Sequence, residues 1–143
     1  MSITTALPTS FKVELLKGTH NFTASSGDTF KMALYTSSAS LGAATTAYTT
    51  SNEVSGTNYT AKGNTLTSVT PVASSTTAVC DFADTTWSSA TITANGAMIF
   101  NESASGDPAV AILSFGADKT STAGNFVVSF PTADSSNAII RIA

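Results

Sequence analysis

The residue best suited to acid–base chemistry in this chain is its only histidine, His20. Nucleophilic catalysis needs a base oriented on a serine, threonine or cysteine, and the base is usually oriented in turn by a third group. The sequence contains 46 Ser and Thr residues, so some contact between His20 and a hydroxyl is expected by chance. We therefore interpret His20 as a structural hydrogen-bonding residue in a turn or interface, and we predict no catalytic residues and no enzyme activity.

Carboxylates are the next candidates, because a hard cation such as Ca²⁺ takes six to eight oxygen ligands. The four best placed are Asp81, Asp84, Asp107 and Asp118. Their density is too low to predict a metal site, and nothing sets two of them at the separation that glycoside hydrolysis requires. Cys80 is alone, which excludes an internal disulfide and gives no metal-binding spacing. We predict a buried core position for Cys80 and no cofactor.

The composition is poor in charge and rich in hydroxyls. Of 143 residues, six are Lys or Arg and nine are Asp or Glu, which is 10% charged against about 25% in an ordinary soluble domain. Neutral hydroxyls cost far less to dehydrate than charged groups do, so a partner can cover such a surface cheaply. This favours a structural or assembly role.

The same composition argues against two classes of partner. The six basic residues are scattered along the chain, whereas binding to nucleic acid needs clustered cations. No stretch approaches the ~20 apolar residues of a membrane span, and the first residues lack the pattern of a secretory signal. We expect no nucleic-acid or membrane partner, and synthesis in a cytoplasm.

The length predicts a single β-domain over residues 10–143, preceded by an extended arm over residues 1–9. Residues 10–17 favour a short helix, with Ser10 as its cap and Gly18 just beyond its end. The alternation of Phe11, Val13 and Leu15 allows a competing interpretation as a strand.

From there onward the pattern has a period of two residues, which is typical of strands. Residues 37–58 interrupt it as a long, hydroxyl-rich excursion, and Trp87 is interpreted as a core anchor. Asn95-Gly96 is the strongest hairpin signal in the chain. The predicted strands are residues 29–35, 65–72, 76–82, 90–94, 97–101, 109–115, 125–130 and 137–142. We predict an all-β fold, either an antiparallel β-sandwich or a jelly-roll-like barrel of about eight strands, with one short N-terminal helix.

Five segments resemble small structural proteins of tailed bacteriophages. They are residues 10–22 (SFKVELLKGTHNF), 27–35 (GDTFKMALY), 52–56 (NEVSG), 82–87 (FADTTW) and 137–143 (NAIIRIA). Within that group the chain is most similar to head decoration, or cement, proteins. The resemblance implies a non-enzymatic protein on the capsid exterior that bridges major capsid subunits, stabilises the head and forms a homotrimer. It implies no catalytic residues.

Three segments are expected to contact the capsid or other subunits: the arm at residues 2–7, the excursion at 37–58 and the apolar strand at 109–115. The candidate contact residues are Ser2, Ile3, Leu7, Leu41, Tyr48, Val54, Val110 and Ile112. For each segment an ordinary alternative stays open, namely a frayed terminus, a solvated loop and a core strand. Two other functions also stay open: a tail-associated or fibre-like receptor-binding protein, and a carbohydrate-binding module.

Overall fold

A computed structural model describes residues 2–143, which form one helix and seven strands. The elements are α1 (Thr9–Leu16), β1 (Phe30–Tyr35), β2 (Asn64–Thr65), β3 (Ser68–Ser74), β4 (Thr77–Phe82), β5 (Thr85–Asn101), β6 (Ala109–Val128) and β7 (Ile140–Ile142). Within this part of the chain no helix is long and apolar enough to cross a membrane.

The strands form two antiparallel sheets, so the prediction of an all-β, sandwich-like fold is confirmed. One sheet has the order β2-β1-β5-β6 and the other the order β3-β4-β7. Both contribute to one cluster of buried side chains, the main core: Phe30 of β1 and Phe82 of β4 lie with ring centroids 5.7 Å apart. Neither sheet closes on itself among the described residues.

Strand β1 lies between β2 and β5 and is buried on both faces, because each face packs into a separate cluster of buried side chains. Phe30, Met32 and Leu34 point into the main core, whereas Ala33 and Tyr35 belong to a second core on the opposite face. The N-terminal arm and the excursion supply Ile3 and Leu41 to this second core. Both faces of β1 are therefore covered by the chain itself.

The N-terminal arm packs on its own chain. The Thr4 N–H donates to the Leu41 carbonyl at 2.9 Å, and Ala6 and Ile112 exchange backbone hydrogen bonds at 3.0 and 2.8 Å. Residue 1 lies outside the described part. The excursion at residues 37–58 contains only isolated bridges, among them Ala47 with Pro108.

The predicted helix is confirmed, with one correction at its start. It begins at Thr9 after Pro8, and Ser10 lies inside it rather than capping it. The helix ends at Leu16, and Gly18 lies just beyond its end, as predicted, with a φ of +74°. There the N–H of Gly18 donates to the Leu15 carbonyl at 3.1 Å and that of Thr19 to the Glu14 carbonyl at 3.0 Å, a Schellman arrangement.

The predicted hairpin at Asn95-Gly96 is wrong, because both residues lie within the continuous strand β5. The register with β6 shifts here, because Ala94 pairs with Lys119 and Gly96 with Ser114, so the extra residues of the irregularity lie in β6 at positions 115–118, opposite the dipeptide. A Cβ on Gly96 would lie 2.6 Å from the Leu113 carbonyl oxygen and 2.8 Å from Cδ1 of Ile3. Glycine is needed here for close approach.

The predicted loop at residues 116–124 is also wrong, because these residues belong to the 20-residue strand β6. Strands β5 and β6 form one long hairpin joined by residues 102–108, and this connection agrees with the predicted loop at 101–108. The pairing of β3 with β4 through a turn at Ser75 also follows the prediction, with φ of +57° at Ser75.

Candidate functional site

Glu53, in the excursion, gathers hydrogen bonds from two of the three tyrosines in the chain. The hydroxyl of Tyr48 donates to Oε2 of Glu53 at 2.6 Å, and that of Tyr59 donates to Oε1 at 2.8 Å. The backbone N–H of Lys62 donates to the same Oε1 at 2.7 Å. Tyr59 also accepts the Leu34 N–H at 2.9 Å, which connects this cluster to the central strand β1.

The third tyrosine, Tyr35, lies beside the same cluster and donates to the Thr49 carbonyl at 2.7 Å. Burial raises the pKa of Tyr35, Tyr48 and Tyr59, and the negative charge of Glu53 raises all three further. The hydroxyls therefore stay protonated and act as donors at neutral pH. Their arrangement fastens the excursion to the sheet and activates no nucleophile.

Lys62 extends the cluster toward the surface. Its Nζ lies 2.8 Å from Oδ2 of Asp107, 3.5 Å from Oε2 of Glu102 and 5.6 Å from the centre of the Tyr48 ring. Lys31 approaches the same Glu102 oxygen at 3.7 Å. The hydrogen bond to Asp107 raises the pKa of Lys62, so its ammonium group stays charged. Partly exposed pairs of this kind add little stability but connect the β5–β6 connection to the excursion.

His20 is buried in a second polar cluster. Its Nε2 lies 3.0 Å from Oε1 of Glu14, and its Nδ1 lies 3.0 Å from Nδ2 of Asn101. The same Nδ2 donates to Oδ2 of Asp28 at 2.8 Å. Among residues 2–143, neither ring nitrogen has a serine, threonine or cysteine partner, so the arrangement needed for nucleophilic catalysis is not assembled around this histidine.

The four aspartates considered for a cation lie in separate places. Asp84 accepts the Phe130 N–H at 2.8 Å, Asp118 accepts from the Asn95 amide at 2.9 Å, and Asp107 pairs with Lys62. The fourth, Asp81, accepts the N–H of Phe82 at 2.8 Å. Within the described residues, no group of three or more His, Cys, Asp or Glu side chains is placed to hold a metal ion.

Cys80 and Trp87 lie in the main core, as predicted. Burial raises the pKa of Cys80 to about 12, so its thiol is protonated at neutral pH and unsuited to nucleophilic attack. Trp87 packs against Tyr59 and Phe126, with ring centroids 6.1 Å from each. Its indole N–H has no hydrogen-bond partner among the described residues.

The predicted contact residues fall into two groups. Five are buried within the chain: Ile3, Leu41 and Ile112 in the second core, and Val54 and Val110 in the main core. The other three keep some exposure: Ser2 is exposed, while Leu7 and Tyr48 are half-buried. A partner that leaves this fold unchanged therefore reaches only the second group, and contact through those residues stays a prediction.

The structure reveals exposed apolar side chains and an apolar groove, both of which sequence reasoning missed. The exposed side chains are Leu16 and Val13 of α1, Val69 and Val72 of β3, and Ile142 of β7, with exposed fractions of 92%, 49%, 43%, 58% and 57%. A groove that is almost wholly apolar separates the end of α1 from the three-stranded sheet. Its lining includes Leu15, Phe22, Pro71, Cys80, Ile140 and Ile142. We call the exposed residues and this groove the apolar face.

Three basic residues lie on the same elements as the apolar face. Lys12 and Lys17 lie on and directly after α1, Arg141 lies on β7, and all three are exposed. At 100° per residue, Lys12 and Lys17 flank the outward positions of Val13 and Leu16 on either side. No sequence signal separates Val13 and Leu16 from Phe11 and Leu15, because apolar residues lie on both sides of α1.

No family model, curated protein or solved structure matches this chain.

Proposed function

We propose that this chain is a non-enzymatic head decoration protein that binds the outer surface of a phage capsid, bridges major capsid subunits and stabilises the shell. The observation that carries the proposal is the exposed helix face at Leu16, which is 92% accessible on a regular α-helix. Val13 lies three residues before it on the same outward side, and exposed apolar surface of this kind on a folded chain is typical of an interaction site. The resemblance of five segments to phage structural proteins supports the choice of partner.

The helix face also indicates the chemistry of that partner. Covering a leucine side chain stabilises a complex by about 1.5–3 kcal/mol. Lys12 and Lys17 flank Leu16, so the complementary surface is an apolar patch bordered by carboxylates. We therefore place the major capsid protein against α1, with an acidic rim around the site that receives Leu16.

The rest of the surface supports the same role. Serine and threonine make up 46 of the 143 residues and offer hydroxyls that a partner can dehydrate cheaply. Many copies of one modest contact on a shell stabilise it through multivalency, without any single strong bond. The same proposal includes self-association as a homotrimer and a location on the capsid exterior of the virion.

The proposal is tested by adding the purified chain to capsids that were assembled without it. We expect the chain to co-sediment with the capsids at a copy number close to that of the major capsid protein, and to raise their melting temperature. The variant Leu16→Asp should bind at least about ten-fold more weakly, because it places a carboxylate against an acidic rim.

A matched control is Val127→Asp on β6, where the original valine is 52% exposed in the other sheet. It should bind capsids as the unmodified chain does. Equal losses of capsid affinity in both variants would show that α1 is not part of the interface. If the chain does not bind capsids but binds host cells or glycans, the decoration role is wrong. A receptor-binding protein or a carbohydrate-binding module would then be favoured.

A further inference from the structure

The groove beside α1 is a place where the main core reaches the surface. Phe22, Cys80 and Ile140 of its lining belong to that core, and Leu15 packs against it. The groove has a volume of about 190 Å³, and its walls are almost wholly apolar. Sites for drug-sized molecules are larger, about 300–1,000 Å³, whereas an apolar cavity of about 150 Å³ holds one benzene. The groove therefore suits a single aliphatic or aromatic side chain.

The register of β4 with β7 shows where the groove is open. Ala78 pairs with Ile142 and Cys80 with Ile140, so all four side chains lie on one face of the three-stranded sheet. Cys80 and Ile140 are buried in the main core, whereas Ala78 is exposed and Ile142 is 57% exposed. The apolar face of this sheet is therefore covered at one end and left uncovered at the other.

The elements around the groove, α1, β3, β4 and β7, carry an excess of positive charge. Lys12 and Lys17 lie on and directly after α1, and Arg141 lies on the edge strand β7. The two carboxylates on these elements, Glu14 and Asp81, already have hydrogen-bond partners within the chain. A partner that brings carboxylates is therefore attracted to the groove, whereas a second copy, placed symmetrically, would bring the same three cations to it.

We propose that the groove receives one apolar side chain from an acidic segment of the major capsid protein, whose carboxylates on either side of that side chain pair with Lys12, Lys17 and Arg141. This inference rests on the proposed function, because that function supplies the partner. Leu16 projects into the partner, and the partner projects a side chain into the groove. Two apolar contacts in opposite directions fix the orientation of the chain on the shell, which a single exposed leucine does not.

NMR titration of the isotope-labelled chain with short blocked peptides tests the groove without any capsid. One peptide has a leucine between two pairs of glutamates, and the other has glutamines in place of the glutamates. At low salt we expect the acidic peptide to shift the amide signals of Leu15, Ala78 and Ile140, and to bind at least about three-fold more tightly than the neutral peptide. Equal affinities, shifts confined to other residues, or no saturable shift would each overturn the proposal.

Two matched variants locate the binding site. Ala78→Trp fills the groove from an exposed position, whereas Ala61→Trp adds the same side chain in an exposed turn outside the lining of the groove. The first should lower the affinity for the acidic peptide at least about ten-fold, and the second should leave it unchanged. Equal affinities in the two variants would contradict the assignment. Self-association of the unmodified chain that is lost only in Ala78→Trp would assign the groove to a second copy instead.

If Ala78→Trp does not fold, the double variant Lys12→Glu with Arg141→Glu decides, because both side chains are exposed. It should bind the acidic peptide at least about three-fold more weakly and the neutral peptide as before, and an unchanged affinity for the acidic peptide would rule out the groove. Capsid binding separates this inference from the proposed function. Capsid binding without peptide binding would reject the groove and keep the decoration role. Peptide binding without capsid binding would support the chemistry of the groove and reject the decoration role.

Discussion

Tyr59 and Glu53 are joined by a 2.8 Å hydrogen bond from the tyrosine hydroxyl to Oε1 of the carboxylate. The same hydroxyl accepts the N–H of Leu34 in the middle of β1, at 2.9 Å. Tyr59 thus links the excursion to the central sheet through one oxygen atom. Because the excursion has only isolated bridges, these side-chain bonds do much to fix its position.

Replacing Glu53 with glutamine should loosen the excursion. The carboxylate accepts from Tyr48, Tyr59 and the Lys62 N–H, whereas a glutamine side chain has one oxygen and an NH₂ group that cannot accept. At least one donor loses its partner, so Glu53→Gln should lower the free energy of unfolding by about 1–3 kcal/mol. Urea unfolding followed by circular dichroism measures the change.

The matched control for this prediction is Glu102→Gln. Glu102 lies in the same polar region, but its contacts are two partly exposed ion pairs of 3.5 and 3.7 Å. Its replacement should cost no more than about 1 kcal/mol. Similar losses in the two variants would mean that the Glu53 cluster is no stronger than an ordinary surface ion pair.

Gly96→Ala should destabilise the long hairpin at its bulge. The added methyl group would lie 2.6 Å from the Leu113 carbonyl oxygen and would also press on Ile3. The Ile3 side chain belongs to the second core and Leu113 to β6, so the methyl group would displace a buried side chain or a paired strand. We expect a loss of about 1–3 kcal/mol, measured by thermal or urea unfolding.

Gly42→Ala is the corresponding control, because its added methyl group would meet only Thr4 atoms, at 3.8 and 3.9 Å. That is ordinary van der Waals contact, and we expect a change within about 0.5 kcal/mol. If Gly96→Ala were equally harmless, the close approach of the arm to β5 would be absent in solution.

The parts of the fold that follow from local pattern were predictable. Alternation identified β1, and turn residues identified the β3–β4 hairpin. The hairpin predicted at Asn95-Gly96 was wrong because the hairpin rule considers only these two residues. The glycine is needed instead for the close approach of Ile3, which lies 93 positions earlier in the chain. Tertiary contact overrode local preference.

The polar clusters could not be predicted from the sequence, for a similar reason. His20 and Asn101 are 81 positions apart, and no spacing rule links an isolated histidine to an isolated asparagine at that separation. The apolar character of Val110 and Ile112 made them candidates for contact with other subunits, but it does not distinguish a strand in the core from a strand at an interface. The exposed face of α1 was equally hard to predict, because apolar residues lie on both sides of the helix.

The tyrosines give a final prediction, at alkaline pH. Burial raises the pKa of all three, so the folded state favours the neutral hydroxyl and binds protons that the unfolded chain releases near pH 10. The stability that they contribute is complete below about pH 10 and is lost as the pH rises through the folded-state values. Cys80, with its pKa raised to about 12, acts in the same direction.

We expect tyrosinate absorbance to appear together with the loss of β-sheet circular dichroism, well above pH 10. The urea-unfolded chain is the reference and should ionise near pH 10. Ionisation of all three tyrosines near pH 10 with the sheet signal intact would show that their hydroxyls are not buried against Glu53 and Thr49.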